Sequence, residues 1–327
     1  MELTITILLF LIGIALIVKG GDFFVDAATW IAEVSGIPKV IIGATVVSLA
    51  TTLPEMLVSV IAAIDGKVDM AVGNAVGSVT ANIGLIMAIS LIFMPSVINR
   101  KDYVPKSILM FCASLIIVAS GRAGSINLFL SIVLLVLFIL FLIENIRSTQ
   151  NSLNKNAAAL QAAENTAVLS GADMEKSVVI TNVLKFIVGA AGIVIGANLL
   201  VNNGSDLARY IGISERIIGV TLVAVGTSLP ELVTTITAIV KKQSSLSIGN
   251  ILGANIIDLT LILPVSMVCA GKPLPIAPSS ALLDFPACLL VGCIAVIPMI
   301  ISSRFKRWQG FALLAVYTMY LVLTCTA

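Results

Sequence analysis

The stretch Gly43–Asn82 reads GATVVSLATTLPEMLVSVIAAIDGKVDMAVGNAVGSVTAN, and it returns over Gly219–Asp258 as GVTLVAVGTSLPELVTTITAIVKKQSSLSIGNILGANIID. The two align without a gap at an offset of 176 positions. Gly43, Thr45, Thr51, Leu53, Pro54, Glu55, Gly73, Asn74 and Gly77 all meet identical residues in the second copy. Chance matching of two apolar helices would not place a Pro-Glu pair and three glycines in one register, so the chain is an internal repeat. Each copy sets a carboxylate, Glu55 or Glu231, beside a helix breaker, Pro54 or Pro230, inside an apolar segment.

Composition supplies the setting. Of 327 residues, 59% are apolar and 11% are charged, with a mean hydropathy of +1.12. A soluble domain carries about 25% charged residues. Apolar runs of ~17–25 residues suffice to cross a hydrocarbon core of ~30 Å, and many runs here reach that length. The alternation of a β-barrel is absent. The chain therefore reads as an all-α polytopic membrane protein with the lipid bilayer as its partner. Its formal charge of +2, with no basic tract, offers nothing for nucleic acid. It has no histidine, which excludes Ser-His and Cys-His catalysis and His-ligated zinc. Cys112, Cys269, Cys288, Cys293 and Cys325 form no CxxC pair and read as small apolar residues. The first apolar run follows Met1 and Glu2 without a basic flank, so it reads as a retained helix and not a signal peptide.

Ten helices are expected. The first runs from Leu3 to Gly36 as one long helix, strongly tilted or emerging along the interface. The next four cover Pro38–Ile64, Met70–Met94, Pro105–Ser120 and Ile126–Ile146. A polar loop of residues 148–177, with a short helix at Ala157–Glu164, separates them from a second set: Val178–Ile213, Arg216–Lys241, Leu246–Ala270, Ser280–Ile301 and Trp308–Thr324. The loop is too short and too polar for a folded regulatory domain. The organisation is thus a five-helix repeat over residues 1–147, a cytoplasmic linker over 148–177, and a second repeat over 178–327. Five is odd, so the second copy enters the membrane from the opposite side. Two inverted five-helix repeats are the plan of secondary transporters that bind at the bilayer midplane.

Positive charge sets the orientation. Lys39, Arg100, Lys101, Lys106, Arg147, Lys241, Lys242, Arg304 and Arg307, among others, fall on one side of this plan. The opposite side holds Lys67, Arg122, Arg209, Arg216 and Lys272. The richer side is expected to be cytoplasmic, with both termini outside.

A carboxylate at the bilayer centre costs ~2.5–3.5 kcal/mol on insertion scales, so something must offset Glu55 and Glu231. A cation, a proton or a basic partner could do so; burial itself favours the protonated form. The motif helices offer no basic residue within the membrane, and Lys19 and Lys185 lie towards helix ends. A proline lacks an N–H and crowds the carbonyl four residues back. Pro54 is therefore expected to bend its helix and turn the carbonyls of Ala50 and Thr51 to the site, as Pro230 does for Gly226 and Thr227. With the hydroxyls of Ser48, Thr51, Thr52, Thr227 and Ser228, the donors are all hard oxygens. Calcium takes ~6–8 such ligands and tolerates irregular geometry; copper and zinc prefer softer ones. The GNAVG and GNILG segments are small-xxx-small faces for close helix packing, and Asn74 and Asn250 read as helix-capping or interhelical hydrogen-bonding groups. Ser78 and Asn82 lie four apart on one helical face, and their copies are Ala254 and Asp258. Three carboxylates around one cavity, Glu55, Glu231 and Asp258, suit one divalent ion, several monovalent ions or a shared proton. A site that is favourable when filled by either ion set and unfavourable when empty gives antiport.

GATVVSLATTLPE and GVTLVAVGTSLPE resemble the alpha-repeat signatures of the calcium/cation antiporter superfamily, and the whole chain is similar to its sodium/calcium exchanger branch in the short prokaryotic form. The resemblance implies a transporter and not an enzyme, with no cofactor and with Ca2+ and Na+ as transported ions. It implies calcium held by Glu55, Glu231 and the carbonyls of Thr51 and Thr227. It implies sodium sites that share these glutamates and match Ser48, Thr52, Ser78, Ala224 and Ser228, with Asn82 and Asp258 nearby. Helices one and six would slide against the rest, in a plasma membrane. There are departures. Ala254 stands where a serine hydroxyl is common, and Ser48 where a small residue is expected. The proton/calcium branch usually carries an acid after the GN pair of each repeat, and this chain has none there. Potassium-dependent exchange, proton exchange and a cation channel remain as alternatives. An intramembrane aspartyl protease would need two catalytic aspartates, and Asp258 is the sole motif aspartate.

Overall fold

A computed structural model describes residues 2–95, 99–163, 176–212 and 226–326. They form ten helices: α1 (Glu2–Ser35), α2 (Lys39–Ile64), α3 (Val68–Phe93), α4 (Arg100–Ala123), α5 (Leu128–Ala163), α6 (Lys176–Tyr210), α7 (Leu229–Val240), α8 (Ser244–Ala270), α9 (Ser280–Ser302) and α10 (Arg307–Thr326). Eight of them are long and apolar enough to cross a membrane. The chain is a ten-helix membrane protein of two inverted halves.

Burial separates the helices into two rings. The apolar windows of α3 and α8 are 72% and 83% buried, against 17% and 11% for α1 and α6. α3 and α8 are therefore the centre. α1 and α6 present Ile5, Leu8, Leu11, Ile187 and Val188 outward, where lipid covers them at no cost. α1 and α6 pack on each other along most of their length, because glycines let their backbones touch. A Cβ at Gly20 would come within 2.9 Å of the Gly189 carbonyl, and one at Gly13 within 3.0 Å of the Gly196 carbonyl. Phe24 and Phe186 extend the contact, with ring centroids 4.6 Å apart. At 34 residues, α1 is about 50 Å long. That exceeds a hydrocarbon core of ~30 Å; Gly36, at φ 67°, ends it.

The connectors sort to two ends as the plan requires. Ser125–Ile126, after α4, pairs antiparallel with Leu274–Pro275, after α8. Ala62, Ala63 and Ala71 cluster with Ala270 at that same end. At the other end, Lys39 donates to Gln243 at 2.9 Å and Arg100 to Ser303 at 3.1 Å. Lys241 pairs there with Asp22 and Asp26 at 3.2 and 2.8 Å.

Four features stand outside the sequence expectation. α5 does not stop at Ile146 but continues to Ala163, so the first half of the expected linker over 148–177 is helical. Its alanines, leucines and glutamine are good helix formers despite their polar neighbours. α4 starts at Arg100 and not at Pro105, since the Asn99 side chain accepts from the Lys101 N–H and caps it. The irregular turn of α2 lies upstream of Pro54, as a π-helical segment over Gly43–Val47, and the helix runs on through the proline from Ser48 to Ile64. Pro54 withdraws a single hydrogen bond, which neighbouring helices in a bundle tolerate. Lys106, expected at the cytoplasmic rim, is fully buried, and its Nζ has no hydrogen-bond partner among the described residues.

The matching turn of α7 differs. Thr227 and Ser228 lie outside the regular helix, which starts at Leu229 with Pro230 in its first turn. A proline is at home there, where its missing N–H has no partner to lose. Residues 213–225, which include Ala224 and the start of the expected Arg216–Lys241 helix, lie outside the described residues.

Candidate cation site

Glu55 on α2, Glu231 on α7 and Asp258 on α8 are all 0% exposed. Their carboxylates lie within electrostatic reach: Glu231 and Asp258 both act on Glu55, and Glu231 acts on Asp258. The crossing that unites them follows from the glycines of the repeat. A Cβ at Gly253 would meet the Ser48 hydroxyl and the Ala44 carbonyl, so the π-helical turn of α2 lies directly on the backbone of α8. Gly43 likewise abuts Leu246 and Asn250. Small-xxx-small spacing does here what it does in other helix pairs, and brings two backbones to contact.

The polar atoms around the acids are short of partners. Both oxygens of Glu55, Glu231 and Asp258 have no hydrogen-bond partner among the described residues. Neither do the Ser78 and Ser228 hydroxyls nor either side-chain atom of Asn82. Buried polar groups are nearly always satisfied, so this concentration of orphans marks the spot. Ser228 lies beside Glu55, and Thr51 and Thr52 beside Glu231. The protons of these threonines are engaged elsewhere: Thr52 donates to the Ser48 carbonyl at 2.5 Å, and Thr51 to Asn250 Oδ1 at 3.2 Å. Both threonine hydroxyls thus have an acceptor within their own or a neighbouring helix as well as the Glu231 carboxylate nearby. Lys19 and Lys185 are exposed and leave the acids unneutralised.

Asn82 and Asp258 occupy matched positions of the repeat, and each opens a π-helical segment, Asn82–Met87 in α3 and Asp258–Ile262 in α8. Such bulges add a residue to one turn, re-aim a side chain and recur at functional sites. Asn74 donates to the Glu55 carbonyl at 3.2 Å and to Ser59 at 2.9 Å. Together with the Thr51–Asn250 contact, this bears out the interhelical reading of the two asparagines. Ser48 packs beneath Gly253 and donates to the Thr45 carbonyl at 3.1 Å. Thr227 is half-buried. Ala224 lies outside the described residues. Among the described residues, no three acidic or cysteine side chains converge closely enough to hold an ion unaided. Any ion bound here needs hydroxyl and backbone oxygens as well.

A cavity of about 550 Å³ lies against this cluster, lined by Pro54, Asn74, Ser78, Thr227 and Pro230 and walled by α6 and α10 through Asn198, Asn202, Tyr317 and Tyr320. Neither motif contains these tyrosines or Asp284, whose carboxylate accepts from the Tyr320 hydroxyl at 3.0 Å. An aspartate two residues before Pro286 in an apolar run repeats the acid-and-proline signal. Comparison of the repeats skips it because Ile108 stands at the matching position.

Two inverted bundles that converge on buried, unpaired carboxylates define a membrane transporter for cations. The family model for "Sodium/calcium exchanger protein" matches residues 5–146 and 181–326. Sodium/calcium exchanger MaX1 of Methanosarcina acetivorans is 31% identical over 355 residues, which cover 98% of each chain. Inner membrane protein YrbG of Escherichia coli is 31% identical over 290 residues, 88% of this chain and 86% of that one. A structure of the sodium-calcium exchanger NCX_Mj, soaked with Na+ and Sr2+, superposes with a TM-score of 0.79 at 28% identity and covers 98% of both chains. The chain belongs to the sodium/calcium exchanger family.

Proposed function

We propose that this protein exchanges sodium for calcium across a plasma membrane by alternating access, with both termini outside. Glu55 and Glu231 hold calcium together with the carbonyls of Thr51 and Thr227. Sodium uses the same glutamates with Ser48, Thr52, Ser78, Ala224 and Ser228, next to Asn82 and Asp258. One observation carries the proposal: three fully buried carboxylates, drawn from both repeats, have no hydrogen-bond donor among the described residues. Removing such charges from water without pairing is costly, and a cation surrounded by hard oxygens offsets that cost. Either ion load satisfies the acids and an empty site does not, so the loaded forms are the ones that change sides.

The names of the relatives support sodium and calcium as the pair, and the lack of an acid after either GN pair speaks against protons. The test is calcium-45 uptake into proteoliposomes under imposed sodium, potassium or pH gradients. Uptake driven by the sodium gradient alone is expected. Uptake indifferent to all three gradients contradicts antiport, and uptake that requires potassium or a pH gradient reassigns the coupling ion.

A further inference from the structure

We propose that Asp284, acting through Tyr320, is a capture point for the hydrated cation as it enters the cavity. The inference rests on the transport reading above and adds residues from α9 and α10 that neither motif contains.

Among the described residues, the cavity lining holds amides, hydroxyls, phenols and apolar groups, and no Asp, Glu, Lys or Arg. An ion that must shed water gains little from such a wall. A carboxylate does reach this wall from behind. Tyr320 lines the cavity, and its hydroxyl donates to Asp284 Oδ1 at 3.0 Å. Asp284 closes the π-helical segment Ser280–Asp284 near the start of α9, is half-buried, and makes no ion pair among the described residues. A carboxylate behind low-dielectric walls projects its field into the opening and concentrates cations there. The hydrogen bond has a second effect. A phenol that donates to a carboxylate is polarised, so its oxygen becomes a stronger acceptor towards the cavity. Tyr320 can then replace a water of the incoming ion while Asp284 supplies the charge. Tyr317 holds the neighbouring ring in place: it packs on Gly84 of α3, where a Cβ would come within 2.7 Å of the Tyr317 side chain.

The geometry also gives a direction. Asp284 follows the connector after α8, at the end of the bundle that carries the Ser125–Pro275 pairing. The cavity residues Met70 on α3 and Thr324 on α10 lie near the same end. Capture is therefore one-sided: it acts on ions that arrive at this face and not on those released at the other.

The test uses the full chain in proteoliposomes of known orientation, with sodium-driven calcium flux measured from each face. Asp284→Asn is expected to raise the calcium KM on the cavity face by about tenfold, with the opposite-face KM and the maximal rate unchanged. Tyr320→Phe raises the same KM to a smaller extent, and Asp284→Glu restores it, which separates charge from folding. An unchanged cavity-face KM in D284N, or an equal rise on both faces, overturns the inference. A Y320F protein identical to wild type overturns the part given to Tyr320. Absence of sodium-driven flux in the wild type removes the transport reading and this inference together. Wild-type flux with D284N unaltered removes this inference alone.

Discussion

Asn82 and Asp258 stand at equivalent positions of the two repeats, each at the first residue of a π-helical turn, and neither side chain has a hydrogen-bond partner among the described residues. The backbone keeps the repeat here while the side chains break it, an amide on one side and an acid on the other. In the proposed site the two glutamates balance one divalent ion, and Asp258 next to them leaves a negative charge over. Asp258→Asn removes that surplus without changing the shape. The expected outcome is that calcium exchange survives but responds differently to membrane voltage, measured as calcium-45 uptake at potassium-diffusion potentials. An unaltered voltage response would take Asp258 out of the charge-carrying set.

Thr51 separates the two kinds of oxygen at the site. Its hydroxyl bonds Asn250, while its carbonyl is the proposed ligand. Thr51→Val deletes the hydroxyl and keeps the carbonyl. It should cost about 0.5–1.5 kcal/mol of stability and raise the calcium KM by less than about tenfold. Complete loss of flux in folded T51V would make the hydroxyl, not the carbonyl, the essential donor.

Gly253 tests the crossing that assembles the site. A Cβ there would press on the Ser48 hydroxyl and the backbone of Ala44, and neither can retreat cheaply. Gly253→Ala should destabilise by about 1–3 kcal/mol, read as a lower melting temperature in detergent. A Cβ at Gly292 in α9 would meet nothing within 4 Å, so Gly292→Ala should melt as wild type does. Equal behaviour of the two would argue against backbone contact between α2 and α8.

Lys106 is a fully buried cation with no hydrogen-bond partner among the described residues, and its charged neighbours are Glu144 and Asp102. A buried ammonium with no hydrogen-bond partner bears an uncompensated desolvation cost, and an apolar chain of similar length removes it. Lys106→Met is expected to fold, to keep sodium-driven uptake and to melt no lower than wild type. A large loss of stability would show that the ammonium is needed to hold α4 against α5.

Much of this architecture is legible in the sequence because it depends on periodicity and on matched residues. The apolar runs mark the helices, the gapless repeat pairs Glu55 with Glu231, and an odd helix count forces the inversion. Other features leave no such trace. A π-helical turn shifts backbone register without a compositional signature, so the one at Gly43–Val47 cannot be read from the residues. The extension of α5 to Ala163 has a polar composition that suits a loop and a helix equally. Charge statistics place Lys106 at the right end of α4 but say nothing of the helix's rotation, which turns it inward. The Asp284–Tyr320 bond joins two helices through residues outside the repeat, and only packing brings them together.

In the proposed mechanism Glu55 and Glu231 form one calcium site across the two repeats. Its most direct test is sodium-driven calcium-45 uptake by proteoliposomes of Glu55→Gln and Glu231→Gln, each shown to be folded by its melting temperature. Loss of calcium exchange in both variants is predicted. Normal calcium flux in both would contradict the shared site.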